Sequence, residues 1–123
     1  MSRYYEMNVT IDGFALTRKQ RIMDACREEW EFEPDSFETY VEVPGMPPTR
    51  LTTFGRSSLC GGESESEFAD RLSAAVWRAN GRFCEVTVAA TFLEELPYES
   101  HVRDEEDYKA WKQKAKRKRG GRS

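Results

Sequence analysis

The chain has 123 residues, of which 38% are hydrophobic and 12% aromatic. This length suits a single domain, and the aromatic content excludes a chain that is disordered throughout. Its charge is unevenly distributed. Residues 109–123 contain eight Lys and Arg and no acid, a charge of +8, whereas residues 1–108 contain 11 basic and 22 acidic side chains, a charge of −11. The sequence thus combines an acidic body with a basic tail, a pattern that concerns partners and solubility rather than fold.

Membrane and secreted classes are disfavoured by the same composition. No apolar run approaches the ~20 residues that a membrane-spanning helix needs, and Met1 to Arg3 lead into alternating polar positions rather than into an apolar leader segment. Three cysteines without Cys-x-x-Cys spacing are typical of reduced thiols. We therefore expect a soluble, cytoplasmic protein.

The first half of the chain predicts two strands flanking a helix, followed by a hairpin. Apolar residues alternate over 5–11 and again over 37–43, as in half-buried strands. Between them, a capping-box pattern at Thr17 and a helical apolar period predict a helix over 17–30. The Pro-rich stretch 44–48 cannot continue a ladder, so it is predicted to turn the chain into an antiparallel strand over 51–59.

The second half predicts a helix, a strand and a C-terminal helix. Ser64 and Glu67 form a second capping-box pattern before a clear apolar stripe, and Asn80-Gly81 is a typical helix stop. A strand follows over 84–92, and the next segment is expected to pack Leu96 and Tyr98 along a sheet edge. A helix is then predicted from near Asp104 through Tyr108 and Trp111, with acids at its start and bases at its end, as the helix dipole favours.

The predicted order is β-α-β-β-α-β. This order resembles the α+β, ferredoxin-like split βαβ plait, a four-stranded antiparallel sheet with two helices on one face; another α+β arrangement is the alternative. The resemblance is one of topology and carries no motif, so it implies no function. We expect a single domain over residues 1–100, a helical extension over 101–111 and a basic, disordered tail over 112–123.

Such a plait leaves one sheet face free, and that face stacks bases in some RNA-binding domains. Here the outward residues of the first, second and fourth strands include four carboxylates and no base, so we expect no nucleic acid on the sheet. Two interpretations stay open: a plain solvated surface, or a surface complementary to a basic protein partner. The residues predicted to form the partner-binding face are Glu6, Glu38, Tyr40, Glu42 and Glu85.

The basic tail has the opposite preference, because Lys and Arg runs attract phosphate without reading sequence. Three interpretations stay open: a tether to nucleic acid or another anionic surface, a solubilising terminus, and an arm that docks on an acidic face of its own domain or of a second copy in a homodimer. Its candidate contacts are Lys112, Lys114, Lys116, Arg117, Lys118 and Arg119.

No catalytic or metal-binding signature is present. Cys60 lies in a Gly-rich loop before a helix, but three nearby Glu disfavour a thiolate, and the one histidine, His101, has no predicted place beside it. Cys26 and Cys84 fall on predicted core faces. The contiguous acids 104–107 fit a helix start better than an ion site. We expect no enzyme activity, no cofactor and no metal.

Aromatic residues allow two interpretations. Trp30 and Trp77 lie on predicted helices, where either burial or exposure is compatible with their positions. Exposed, they would join Tyr4, Tyr40 and Tyr98 in a contact patch of the kind that anchors interfaces. Burial is favoured for Trp30, and the two alternatives are balanced for Trp77.

The sequence therefore predicts a small, non-enzymatic interaction protein whose acidic domain binds a macromolecular, protein partner. One form of it is a phage-type or mobile-element inhibitor whose acidic face occupies the basic nucleic-acid groove of a host complex. The alternatives are a nucleic-acid-associated accessory protein held by its tail, and a small-molecule sensor or enzyme whose site is built from residues far apart in sequence.

Overall fold

The computed structural model describes residues 3–59, 63–92 and 99–120. Short 3₁₀ turns at Leu16–Arg18 and Pro34–Ser36 join some of its elements. The strands and helices are, in chain order, β1 (Arg3–Asp12), α1 (Lys19–Glu29), β2 (Glu38–Tyr40), β3 (Arg50–Leu59), α2 (Glu65–Asn80), β4 (Glu85–Phe92), β5 (Glu99–Arg103) and α3 (Glu105–Gly120).

The fold is α+β, and the described residues form an open antiparallel sheet and three helices. Its strand order is β2-β3-β1-β4-β5. The predicted count of four strands was wrong, because β5 pairs along β4 from Val86↔Arg103 to Ala90↔Glu99 and adds a fifth. This strand gave little sequence signal, since Val102 is the only aliphatic residue among its five.

The core lies between one face of the sheet and the helices α1 and α2. Alternation along β1 buries Tyr5, Met7, Val9 and Ile11, each at most 2% exposed, and this row belongs to one apolar cluster with residues of both helices. Burying each large aliphatic side chain contributes roughly 1.5–3 kcal/mol. The helices therefore cover this face, and the opposite face of the sheet is left to other contacts. From α1 and α2 the cluster includes Ile22, Cys26, Phe68, Leu72, Val76 and Trp77.

The predicted caps of α2 are confirmed, and the cap of α1 is not. Ser64 Oγ accepts from the Glu67 amide at 3.1 Å while Glu67 Oε1 accepts from the Ser64 amide at 2.9 Å, and Gly81 ends the helix in the left-handed region at φ 79°. By contrast α1 begins at Lys19, after a 3₁₀ turn, and the side chain of its N-cap residue, Arg18, makes no capping hydrogen bond.

The second strand is shorter than its alternating pattern predicts. The ladder runs over Glu38–Tyr40 only, and Val41 and Val43 are 49% and 58% exposed. The hairpin closes early because the Thr49 amide donates to the Tyr40 carbonyl at 3.2 Å, which confirms the antiparallel pairing but leaves residues 41–49 as a loop.

The C-terminal helix is confirmed and is longer than expected. Asp104 and Asp107 cap it reciprocally, each backbone amide donating to the other's carboxylate at 3.0 and 3.2 Å. Its backbone stays helical to Gly120, so residues 112–120 form the second half of a helix where a disordered tail was expected. The division into residues 1–100, 101–111 and 112–123 stays a prediction.

The first half of α3 is fixed to α2. The rings of Tyr108 and Trp111 lie 5.2 and 5.5 Å from the ring of Trp77, so the basic helix lies on the helical side of the domain. The expected packing of Leu96 and Tyr98 falls outside the described residues. No helix in the described ranges is long and apolar enough to cross a membrane.

Candidate functional site

The side of the sheet opposite α1 and α2 is the candidate site, and we refer to it as the open face. Its exposed aromatic and apolar side chains mark it as uncovered by any described element: Tyr4, Tyr40 and Phe54 are 45–47% exposed, as is Val102 at the β5 edge. Exposed rings on one surface are typical of contact sites. The open face presents Tyr4, Glu6, Asn8, Thr10 and Asp12 of β1, Arg50, Thr52, Phe54, Arg56 and Ser58 of β3, Glu38 and Tyr40 of β2, Glu85, Thr87, Ala89 and Thr91 of β4, and Ser100 and Val102 of β5.

Four of the five predicted partner-binding residues lie together at one end of the open face. Tyr40 pairs with Arg50, which stands opposite Asp12, which in turn stands opposite Glu85. Glu38 lies two residues before Tyr40 on the same face of β2 and accepts a hydrogen bond from the Tyr40 hydroxyl at 2.7 Å. Glu42 follows in the hairpin loop. At this end, carboxylates from three segments of the chain converge.

Glu6, the fifth predicted residue, lies elsewhere on the same face. It precedes Asp12 by six residues of β1, a separation of about 20 Å along a strand. There it forms an ion pair with Arg56 across the ladder at 3.2 Å. The predicted set is therefore one cluster and one separate residue.

The open face is less acidic than the sequence alone suggested, because β3 brings two arginines to it. Arg50 Nε lies 2.6 Å from Asp12 and its Nη2 lies 3.4 Å from Glu42; the hydrogen bond that Arg50 donates to Asp12 is the main reason that the pKa of Arg50 is raised. Arg56 pairs with Glu6. Both arginines alternate with buried residues of β3, a signal that assigning that strand's outward positions would have revealed.

One groove on the open face keeps its negative charge. It has a volume of about 630 Å³ and is lined by Glu33, Asp35, Glu38, Tyr40 and Phe54, with hydroxyl and amide groups on its floor. No basic side chain lines it, and its three carboxylates form no ion pair among the described residues.

The wall that carries Glu33 and Asp35 is held by a buried serine. Ser36 Oγ donates to the Glu33 carbonyl at 2.7 Å, lies 2.6 Å from Thr53 Oγ1, and accepts from the Phe54 amide at 3.2 Å. The Glu33 amide also donates to the Phe54 carbonyl at 3.1 Å. The 3₁₀ turn Pro34–Ser36 is thus attached to β3, where the sequence predicted only a break before a strand.

Gly55 allows this attachment. A Cβ at this position would lie 2.3 Å from the Glu31 carbonyl oxygen and 2.6 Å from the Phe32 Cα, so only glycine lets the two backbones approach this closely. Trp30 completes the contact, since its indole Nε1 donates to the Gly55 carbonyl at 3.0 Å.

A second acidic cavity, of about 520 Å³, lies between the end of α1 and the start of α2. Here Arg71 pairs with two of the four glutamates that line the cavity, Glu29 at 2.7 Å and Glu63 at 2.9 Å. Its hydrogen bond with Glu63 is the main reason that the pKa of Arg71 is raised. This cavity therefore has its cation built in, unlike the groove on the open face.

The thiols offer no nucleophile in the described ranges. Cys26 and Cys84 are free and buried, and burial raises the pKa of each to about 12. Cys60 lies outside the described residues, and His101 is half-buried on β5. No group of three or more His, Cys, Asp or Glu residues in 3–59, 63–92 and 99–120 is placed to hold a metal ion.

Trp30 and Trp77 are core residues rather than parts of a contact patch. Trp30 is 6% and Trp77 3% exposed, and the Trp77 indole donates to the Cys84 carbonyl at 2.8 Å. Of the aromatic residues considered with them, Tyr4 and Tyr40 are exposed on the open face and Tyr98 lies outside the described residues.

The basic tail contacts are only partly described. Lys112 and Lys114 are exposed on α3, as is Lys109, and the Lys112 ammonium lies 5.7 Å from the Tyr108 ring centre. The other four predicted contacts have a helical backbone, and nothing further is described for their side chains; they are Lys116, Arg117, Lys118 and Arg119.

Comparison of the chain with protein-family models, with curated proteins and with solved structures gave no match.

Proposed function

We propose that the chain is a small interaction protein whose open face binds a basic protein partner. The observation that carries this proposal is the groove at Glu33, Asp35 and Glu38, an acidic and aromatic concavity on a sheet surface that no described element covers. Charge complementarity of this kind steers association and selects partners. Exposed Val41, Val43 and Met46 on the adjoining hairpin loop add apolar contact area.

One form of this function is a phage-type or mobile-element inhibitor that occupies the basic nucleic-acid groove of a host complex. The carboxylates at one end of the face support it, because they would compete with phosphate for the same arginines and lysines. We place this activity in a reducing, cytoplasmic setting, consistent with the free thiols of Cys26 and Cys84. The scaffold that we propose is a ferredoxin-like plait extended by β5, since the first four strands take the order β2-β3-β1-β4.

A charge-matched capture experiment tests the proposal. The tagged chain is recovered from its native cells with and without nuclease, beside two variants that each raise the charge by four. The face variant carries Glu42→Lys and Glu85→Lys on the open face but outside the groove, and the control carries Asp24→Lys and Glu28→Lys on α1. We expect the wild type and the control to capture the same basic protein both with and without nuclease. We expect the face variant not to capture it.

Equal loss from the two variants would mean that net charge, rather than the open face, holds the partner. Capture that disappears with nuclease would indicate that nucleic acid carries the association. Either result contradicts the proposal.

The second candidate function is nucleic-acid association through α3. The exposed lysines Lys109, Lys112 and Lys114 favour it, because a helix anchored at Tyr108 and Trp111 presents a basic surface without covering the sheet. This function predicts that the chain binds DNA or RNA with an affinity that falls steeply as the salt concentration rises from about 50 to 200 mM. Replacing the three lysines by glutamine would remove that binding and leave capture by the open face unchanged.

A further inference from the structure

We infer that the groove on the open face binds an arginine side chain from a basic segment of the partner. This inference rests on the proposed function and deepens it, since it names the chemistry of the contact. The groove combines carboxylates, aromatic rings and the absence of a lining cation, and these three features together favour a guanidinium group.

Three carboxylates give the groove its negative charge. Glu33, Asp35 and Glu38 approach the groove from the 3₁₀ turn and from β2. Five acids elsewhere on the described surface are paired with arginine: Asp12 and Glu42 with Arg50, Glu6 with Arg56, and Glu29 and Glu63 with Arg71. The three carboxylates that line the groove form no ion pair with any described residue, so a partner's cation would complete the same arrangement there.

The aromatic rings distinguish arginine from lysine. Tyr40 and Phe54, 47% and 45% exposed, both line the groove. A guanidinium is planar and weakly hydrated, stacks on aromatic faces and bonds carboxylates through two parallel N–H groups, whereas an ammonium is strongly hydrated and acts as a point charge. A site that places rings beside carboxylates therefore favours arginine.

The wall of the groove is built to hold its shape. Ser36, which is 9% exposed, ties the acidic turn to Thr53 and Phe54 through its hydroxyl, and Gly55 lets the chain before it lie directly against β3. At about 630 Å³, the groove falls within the roughly 300–1,000 Å³ of small-ligand sites. It has room for a side chain and for part of the segment that bears it.

Titration of the isotope-labelled full chain with a synthetic peptide tests the inference by NMR. The peptide is acetyl-Gly-Arg-Gly-Arg-Gly-amide, and its counterpart carries citrulline, which keeps the shape but replaces the guanidinium by a neutral urea. We expect the arginine peptide to shift the backbone signals of Glu38, Tyr40, Thr52 and Phe54. We expect the citrulline peptide to bind at least about tenfold more weakly, because charge-assisted hydrogen bonds are lost.

Variants locate the site. Glu33→Gln with Asp35→Asn is expected to weaken binding of the arginine peptide by about two- to thirtyfold, because each exposed ion pair contributes roughly 1.4- to fivefold. Phe54→Ala is expected to weaken it by about two- to fivefold through loss of the ring. Asp24→Asn with Glu28→Gln changes the charge equally on α1 and should leave affinity unchanged. Equal weakening by the two double variants, equal binding of the citrulline peptide, or shifts confined to the helical side would overturn the inference.

A second copy of this chain is the other source of basic side chains, and the same spectra detect it. If raising the protein concentration alone shifts the groove signals, and replacing Lys109, Lys112 and Lys114 by glutamine abolishes that shift, the occupant is α3 of another copy and the inference is wrong. The two proposals can fail separately. If the arginine peptide does not bind at the groove but the Glu42→Lys, Glu85→Lys variant still loses its captured protein, the proposed function stands and only the arginine site is refuted.

Discussion

Replacing Gly55 by alanine perturbs the close crossing of residues 31 and 32 over β3, the backbone contact that positions the acidic wall of the groove. The added Cβ would lie 2.3 Å from the Glu31 carbonyl oxygen and 2.6 Å from the Phe32 Cα, whereas ordinary contacts begin near 3.4 Å. Both obstacles are backbone, so the segment before the 3₁₀ turn must move by about 1 Å. Overpacking of this kind costs roughly 1–3 kcal/mol, and weakening the hydrogen bond from the Glu33 amide to Phe54 adds about 1 kcal/mol.

We therefore expect Gly55→Ala to lower the free energy of unfolding by about 2–4 kcal/mol in urea titrations, and the melting temperature by roughly 8–16 °C for a chain of this size. Gly81→Ala is the matched control. Gly81 has φ +79°, and the nearest atom to its added Cβ is the Arg18 guanidinium carbon at 3.6 Å, so left-handed strain alone costs about 1–2 kcal/mol. Gly55→Ala should also lower the affinity of the groove for the arginine peptide, whereas Gly81→Ala should leave that affinity unchanged. A Gly55→Ala protein as stable as the wild type, with the same peptide affinity, would refute the close crossing.

Three further predictions concern caps, thiols and the C-terminal helix. Ser64→Ala should lower stability by about 1 kcal/mol in urea titrations. The acid transition should change little, because the main reason that the pKa of Glu67 is lowered is the Ser64 backbone amide, which alanine keeps, and the Ser64 hydroxyl is only the second cause. Stability unchanged by Ser64→Ala near neutral pH would contradict the cap. Burial raises the pKa of Cys26 and Cys84 from 9.0 to about 12, so the unfolded chain releases these protons first, and stability should fall between pH 9 and 12 by up to about 1.4 kcal/mol per pH unit for each thiol. In a Cys60→Ser variant, a thiol reagent at pH 8 should react only as fast as the protein unfolds, and immediate reaction would contradict the burial of the two. Trp111→Ala removes a ring that packs on α2, so hydrogen exchange in α3 should accelerate at least about tenfold while β1 stays protected; equal acceleration in both would show global destabilisation instead.

Much of the fold follows from hydrophobic periodicity. The buried row of β1 and the capped stripe of α2 were predicted, because burial and capping impose strong, local patterns. The strand at Glu99–Arg103 was missed, since its pairing with β4 is long-range and Val102 is its only aliphatic residue. The helical continuation beyond Lys112 was missed for the reverse reason: a run of like charge suggested disorder, while good helix formers attached to a packed first turn continue the helix.

The site was predicted only in outline. An acidic sheet face with Glu38, Tyr40, Glu42 and Glu85 follows from strand alternation, and the structure brings these residues to one end. The groove itself depends on Glu33 and Asp35, whose position is set by the buried Ser36 and by contact at Gly55. Such contacts join segments about 20 residues apart, and no local pattern announces them.

Side-chain footprinting by hydroxyl radicals, with and without the captured basic protein, tests the central claim most directly. If the open face is the binding surface, Tyr40 and Phe54 lose reactivity in the complex while Tyr108 and Trp111, on the helical side, keep theirs. Protection of Tyr108 and Trp111 with Tyr40 and Phe54 unchanged would contradict the claim and would place the partner on α3.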